Sequence, residues 1–466
     1  MTPASLKIVY LTSGAGGMFC GSCMNDNALA KALIALGHDV QLVPLYTPIR
    51  TDGQDVSLGR IFYGGINMYL QQKVPLFRWL PKWMDRALDQ PWLVRWATSF
   101  GSMTRAKDLG AIAVSVLRGR EGFQRKEVER LVEWLAASGE PDVIHLSNIL
   151  TAGCVPLLRE RMKAQVVVTL QGDDIFLRDL PEPYQSQALA EVRRLVPHVD
   201  AFVVNSKYYA DFMADYLAIP PEKMHIVPLG VETAEFARGR ESLASTASHL
   251  ESPPPPKTEG PLAPQREPTI GYLARLAPEK GLHVLADAFI LLRQMPGLEN
   301  ARLRIAGWLG RQNRQYAEEA FAKLRTAGLK DAFTYVGEVD RRGKLAFLQS
   351  IDVLAVPTTY KEPKGIFVLE ALASGVSVVE PEHGSFPETL AELGGGLLHR
   401  PEDPQHLAER LHELLTNPDL RQQLALAGQT AVTARRDIRH AAEATIVVYR
   451  KLWAKESEVG VLSTEY

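Results

Sequence analysis

Two glutamates eight positions apart, Glu362 and Glu370, mark the run from Tyr360 to Gly375, YKEPKGIFVLEALASG. Pro363, Lys364 and Gly365 follow the first of them, and the apolar run from Ile366 reads as a helix ending at Gly375. The start of such a helix leaves backbone N–H groups near Gly365, Ile366 and Phe367 without intrahelical partners. Those amides and the helix dipole suit an anionic or polyhydroxylated ligand. Glycine at 365 lets that ligand come close to the backbone. Were both glutamates helical, they would stand roughly 12 Å apart along the axis, at about 1.5 Å per residue. Carboxylates that act on one glycosidic bond stand about 5 to 9.5 Å apart. Glu362 and Glu370 are therefore expected to grip two parts of a long ligand. The alternative is a loop glutamate and a solvent-facing helix glutamate.

A second constellation is Arg275-Leu-Ala-Pro-Glu-Lys280-Gly281, at the carboxyl end of a predicted strand. An arginine fork and a lysine point charge near a helix start can together neutralise a diphosphate. Ordinary surface charge on a loop is the other reading. A glycine loop, Gly14 to Gly17, follows the first predicted strand. It lacks the spacing of a dinucleotide fingerprint but suits a loop whose amides, those of Gly16 and Gly17 among them, line a cleft. Asp173 and Asp174 end another strand, where an aspartate caps the next turn or orients a substrate hydroxyl more readily than it holds a cation. His145 also sits at a strand end, as a cleft residue or a satisfied core histidine. Cys20 and Cys23 form a single C-x-x-C with no second ligand pair, so no metal site is expected, and packing at a helix start is preferred over redox chemistry.

The elements that must position these residues alternate. KIVYL (7–11), a glycine loop, the helix NDNALAKALIALG and HDVQLVP (38–44) make a βαβ opening, which demands a parallel sheet. Further strands are predicted at 141–148, 166–172, 201–206 and 225–230. A second series follows at 269–275, 301–307, 333–337, 352–357 and 376–381. Two doubly wound α/β domains are thus expected to face each other across a cleft, with ligands outside the carboxyl ends of the strands. Domain boundaries fall at 1–235, a Pro-rich linker or insertion at 236–268, 269–440, and a C-terminal helix and tail at 441–466 that packs back on the first domain. The linker carries Pro253 to Pro256 and little apolar content.

Composition removes several function classes. The 466 residues carry a net charge of −2, so nucleic acid is not an expected partner. Three cysteines exclude a disulfide-stapled fold, and no apolar run reaches the length of a spanning helix. A cytoplasmic protein is expected. One local asymmetry stands out in an insertion at 60–130. It holds Trp79, Trp83, Trp92 and Trp96, and between Lys73 and Arg130 there are twelve basic and six acidic residues. Aromatic rings and cations in 72–130 suit an acceptor glycan or peripheral contact with an anionic membrane surface. Helices packed over the cleft are the other reading.

Taken together, GAGG, DVIH, FVVNS, IVPLGVET, RLAPEKG, FTYVGEV and EPKGIFVLEALASGVSVV resemble, in order and spacing, the family-four glycosyltransferases. The resemblance implies the GT-B fold, a nucleotide-sugar donor and no resident metal or other cofactor. It places the donor ribose on Glu370, the donor sugar on Glu362, the diphosphate on Arg275 and Lys280, the helix-start amides at Gly365, Ile366 and Phe367, and the base near Val336 and Gly337. Gly16, Gly17, His145 and Asp173, at loop and strand ends near the cleft, are expected on the acceptor side. The chain departs from the family at Ala274, where a glycine is usual, at Pro363-Lys364 after the first glutamate, and at Gln171, where a histidine often stands.

The function so implied is a retaining transfer of a sugar to an acceptor hydroxyl on a glycan, a lipid or a small molecule. The departing diphosphate would be met by preorganised donors, and domain closure would exclude water. No nucleophile stands out, which favours front-face attack. An epimerase on the same fold and a non-catalytic sugar-nucleotide-binding scaffold are the rival readings.

Overall fold

The structure is a computed structural model, and it describes residues 5–14, 21–63, 72, 106–236 and 267–462. Gly16, Gly17, Cys20, the four clustered tryptophans and the proline run lie outside these residues. The chain forms two compact units. One is Met1–Leu229 together with Ile438–Tyr466, the other Gly230–Asp437.

Unit 1 is built on β1 (Lys7–Thr12), β2 (Asp39–Pro44), β3 (Val143–Leu146), β4 (Gln165–Thr169), β5 (Ala201–Val204) and β6 (Met224–Ile226). They lie in the order β2-β1-β3-β4-β5-β6, all parallel. Successive side chains of β1 enter different cores. Val9 and Leu11 join one apolar cluster, Ile8 and Tyr10 the other. That double burial is why KIVYLT reads as an unbroken apolar run rather than an alternating one. The helix Ile438–Leu462 belongs to the second face, where Ile446, Tyr449 and Leu452 share a cluster with Leu6, Ile8 and Leu33.

Unit 2 contains β7 (Thr269–Leu273), β8 (Arg302–Ala306), β9 (Phe333–Tyr335), β10 (Val353–Ala355), β11 (Ser377–Pro381) and β12 (Gly396–His399). Their order is β12-β11-β10-β7-β8-β9, again parallel. The chain walks outward from β7 to β9, then returns to lay β10 on the other side of β7. Sequence patterning foresees the other eleven strands to within a few residues but not β12. Its four residues follow Gly394-Gly395, both at positive φ, and read as loop. Where the chain enters and leaves unit 2, Val231 donates its N–H to the Arg436 carbonyl (2.9 Å), and the Thr233 hydroxyl donates to Asp437 (2.6 Å).

Candidate active site

The reversal of strand order in unit 2 puts the carboxyl ends of β7 and β10 side by side. In open parallel sheets that is where a crevice for ligands forms. The loop after β7 carries Arg275 and the short 3-10 turn Pro278–Lys280; the loop after β10 carries Tyr360 and Glu362. Gly281 closes the turn at φ 70°, and a Cβ there would fall 1.7 Å from the Pro357 carbonyl oxygen. The absence of a side chain is what lets the two loops touch. Thr359 then donates its N–H to the Glu279 carbonyl (3.1 Å) and locks them.

Lys280 meets Glu362 at this junction. The ammonium lies 2.6 Å from Glu362 Oε2 and 2.7 Å from the Tyr360 hydroxyl, and that hydroxyl itself donates to Glu362. Side-chain exposure is 13% for Lys280 and 5% for Glu362. The Glu362 carboxyl is pulled two ways. Burial favours its neutral form, but the Lys280 charge and the bonds from Lys280 and Tyr360 outweigh it and bring the group down to about 2. Burial, then the Glu362 charge, push the Tyr360 phenol well above its usual range, so it stays an O–H donor. Its ring also lies under Lys280, with the ammonium 4.8 Å from the centroid.

The helix Ile366–Ala373 starts beside this cluster, with Gly365 left-handed at φ 62° as its N-cap. A Cβ on Gly365 would come within 2.9 Å of the Phe386 ring. Glu362 Oε1 accepts weakly from the amides of Lys364 (3.3 Å) and Gly365 (3.4 Å). A ligand anion at the next amides, Ile366 and Phe367, would meet the positive end of the helix dipole. Glu370 lies on that helix but is not bonded to Lys280. It takes a second lysine, Lys344, whose ammonium is 2.7 Å from Oε1, with both side chains under 9% exposed. The two glutamates thus bind two separate cations of the protein itself.

Arg275 does not join the Lys280 cluster by a direct bond. It pairs with Glu279 at 3.0 Å and is 46% exposed, although its charge reaches the Tyr360 phenol. Val336 and Gly337 lie just past β9. The Val336 side chain is 38% exposed, and Gly337 accepts from the Gly307 amide at the end of β8 (2.9 Å). An apolar, accessible strand end suits the face of a base.

Two residues expected on the acceptor side have internal partners instead. His145 is fully buried in unit 1, with Tyr449 at Nδ1 and Thr169 at Nε2, so neither ring nitrogen is left for a ligand. Burial brings it down to about 3, and the neutral ring is satisfied by the two hydroxyls. Asp173 accepts from the amides of Ile149 (3.0 Å) and Gln171 (2.8 Å), one on each oxygen. It ties the loops after β3 and β4 together. Burial lifts its carboxyl to about 6 despite those two bonds.

Sequence reasoning missed Tyr360, Lys344 and Glu380. The signal for Tyr360 was its place two residues before Glu362; Lys344 gave none, because its partner is 26 positions away. Glu380, near the end of β11, is fully buried, and the backbone of Val356 supplies its carboxyl a hydrogen bond. Burial, and then the Glu362 charge, push it well above the ordinary carboxyl range. Among the described residues, no three His, Cys, Asp or Glu side chains are grouped to hold a metal ion, and no helix is long and apolar enough to cross a membrane.

Two units, each built on a parallel six-stranded sheet, have the architecture of the GT-B fold. Residues 108–235 match the family model described as Glycosyltransferase Family 4, and residues 257–431 the one described as Glycosyl transferases group 1. The chain belongs to these family-four glycosyltransferases. It is similar to the D-inositol 3-phosphate glycosyltransferase of Stackebrandtia nassauensis, 27% identical over 66% of this chain and 68% of that one. It is also similar to the phosphatidyl-myo-inositol mannosyltransferase of Mycobacterium leprae, 32% identical over 43% of this chain and 51% of that one. Among solved structures, the fold is that of the sucrose-phosphate synthase from Thermosynechococcus elongatus, with a TM-score of 0.66 at 20% identity over 96% of this chain and all of that one. Anabaena HepE in complex with UDP gives 0.64 at 16% identity over 96% and 100% of the two chains.

Proposed function

We propose that this glycosyltransferase takes its sugar from a nucleotide-sugar and passes it to an acceptor hydroxyl with retention of anomeric configuration. The observation that carries this reading is the buried Lys280–Tyr360–Glu362 cluster beside the helix that starts at Ile366. Relatives and neighbours support the donor class: HepE was solved with UDP and with UDP-glucose, and a starch synthase with ADP.

In the proposed complex, Lys280 and the Ile366 and Phe367 amides receive the diphosphate, and Arg275 leaves Glu279 to join them. An exposed ion pair is worth little, about 0 to 1 kcal/mol, so that exchange is cheap. Charge that develops on the leaving diphosphate then meets donors already in place. Glu362 takes hydroxyls of the donor sugar, Glu370 the ribose, and Val336 and Gly337 the base. No resident metal is required in this scheme, because these cations and amides supply the positive field. Front-face attack by the acceptor hydroxyl accounts for retention. Contact of segment 72–130 with acceptor or membrane surface belongs to the same proposal.

A panel of nucleotide-sugars in a thermal-shift assay identifies the donor; a ligand at 100 times its dissociation constant raises stability by about 2.7 kcal/mol. With that donor, Glu362→Gln is expected to lower kcat at least about 100-fold, the cost of roughly 2.7 kcal/mol of lost transition-state stabilisation. Release of nucleoside diphosphate is the readout. Full turnover in the variant, or no binding of any nucleotide-sugar, refutes the reading.

A further inference from the structure

Tyr360 stands between the two groups that the proposed function assigns to different parts of the donor. Its hydroxyl has one proton to give and lone pairs to receive. It accepts from Lys280 at 2.7 Å and donates to Glu362 Oε2, the same oxygen that Lys280 reaches directly at 2.6 Å. The ring underneath keeps the ammonium within 4.8 Å of its centroid. A diphosphate that draws Lys280 toward itself therefore breaks a bond to Glu362 and one to Tyr360 together. Glu362, only 5% exposed, would then be a buried carboxylate short of a cation, which is costly unless another donor remains.

We propose that Tyr360 is a positioning residue that couples the two subsites: as the diphosphate takes Lys280, the Tyr360 hydroxyl holds Glu362 ionised and aimed at the donor sugar. The inference rests on the donor reading given above. The groups facing Glu362 come from several elements. Lys280 approaches from the loop after β7, Tyr360 and Lys364 from its own loop, and the buried Glu380 from β11, while the charges of Arg275 and Glu279 bear on the Tyr360 phenol. Of these, Tyr360 is a donor to Glu362 that carries no charge of its own, so an incoming diphosphate does not compete for it electrostatically. That is the property a group must have to stay with the carboxylate when the lysine leaves.

Tyr360→Phe tests this, since it keeps the ring beneath Lys280 and removes only the hydroxyl. A hydrogen bond to a charged group is worth about 1.5 to 3 kcal/mol, so kcat should fall about 10- to 100-fold while the donor KM stays within about threefold. The acid limb of the kcat–pH profile should move to higher pH, because ionised Glu362 has lost a stabilising donor. Placing 3-fluorotyrosine at 360, a stronger donor of the same shape, should move it the other way, and this variant decides the matter if the phenylalanine variant melts early. In a Glu362→Gln background, Tyr360→Phe should change kcat less than about threefold, since coupled residues do not add. Unchanged kcat in Tyr360→Phe, or an unmoved acid limb with losses that simply multiply in the double variant, overturns the coupling. Should Glu362→Gln itself keep full turnover, it is the donor reading that falls instead.

Discussion

Glu362 is ionised in a place that disfavours charge. Its carboxyl lies near 2 because a lysine and a phenol outweigh burial, and an unfolded chain returns it to about 4.3. The folded value is the depressed one. The stability that this contributes is therefore complete above about pH 4.3 and is lost as pH falls toward 2, and at neutral pH it is on the order of 3 kcal/mol. Glu362→Gln cannot titrate. Wild type should therefore melt well above the variant at pH 6, and the gap in Tm should narrow steadily between pH 4.5 and pH 2. A constant gap across that range would mean that Glu362 is not held by charge. Glu370 pairs with Lys344, so each glutamate of the pair stands in its own ion pair rather than sharing one.

Among the elements, the short turn from Pro278 to Gly281 does more to build the site than any long helix. It carries Lys280 to the end of β10, and the contact is so close that Gly281 has no room for a Cβ. Gly281→Ala would need both a strained left-handed backbone and movement away from Pro357. It should cost about 2 to 4 kcal/mol in urea unfolding and weaken binding of the nucleoside diphosphate, because Lys280 is displaced from Glu362. The helix Ile366–Ala373 is by contrast legible in sequence: its apolar run, its N-cap Gly365 and its terminal Gly375 are local signals. So are the strand ends that carry Arg275 and Glu362, since a short apolar run followed by a polar or glycine-rich loop needs no distant partner to be recognised.

At the scale of the molecule, the last helix belongs to the first unit. Tyr449 reaches across to His145, and Ala442, Ile446 and Leu452 complete an apolar face over β1, β3 and β4. Ending the chain at Asp437 should expose that face and destabilise unit 1 selectively. Limited proteolysis of the truncated chain is expected to degrade unit 1 while leaving a resistant fragment that contains 267–437; equal resistance of both would show that the helix is dispensable. Four cations of the basic stretch noted in the sequence have partners within unit 1. Arg118 pairs with Glu191, Arg120 with Glu160, Arg125 with Glu129 and Arg130 with Glu127. Arg118, Arg120, Arg125 and Arg194 border a cavity of about 400 Å³ in unit 1, where Glu191 and Glu160 answer Arg118, Arg194 and Arg120.

The amino-acid sequence alone determined the parallel α/β alternation, eleven of the strands, the loops at their carboxyl ends and the two glutamates that mark the site, because each is written in a few neighbouring residues. Only the tertiary structure decided which side chains meet. Lys280 finds Glu362 across 82 positions, and Lys344 finds Glu370 across 26. His145 is claimed by Tyr449 across 304 positions and so becomes a core residue. Such pairings follow from strand order, which brings the ends of β7 and β10 together, and strand order is a property of how whole elements pack and not of any short run within them.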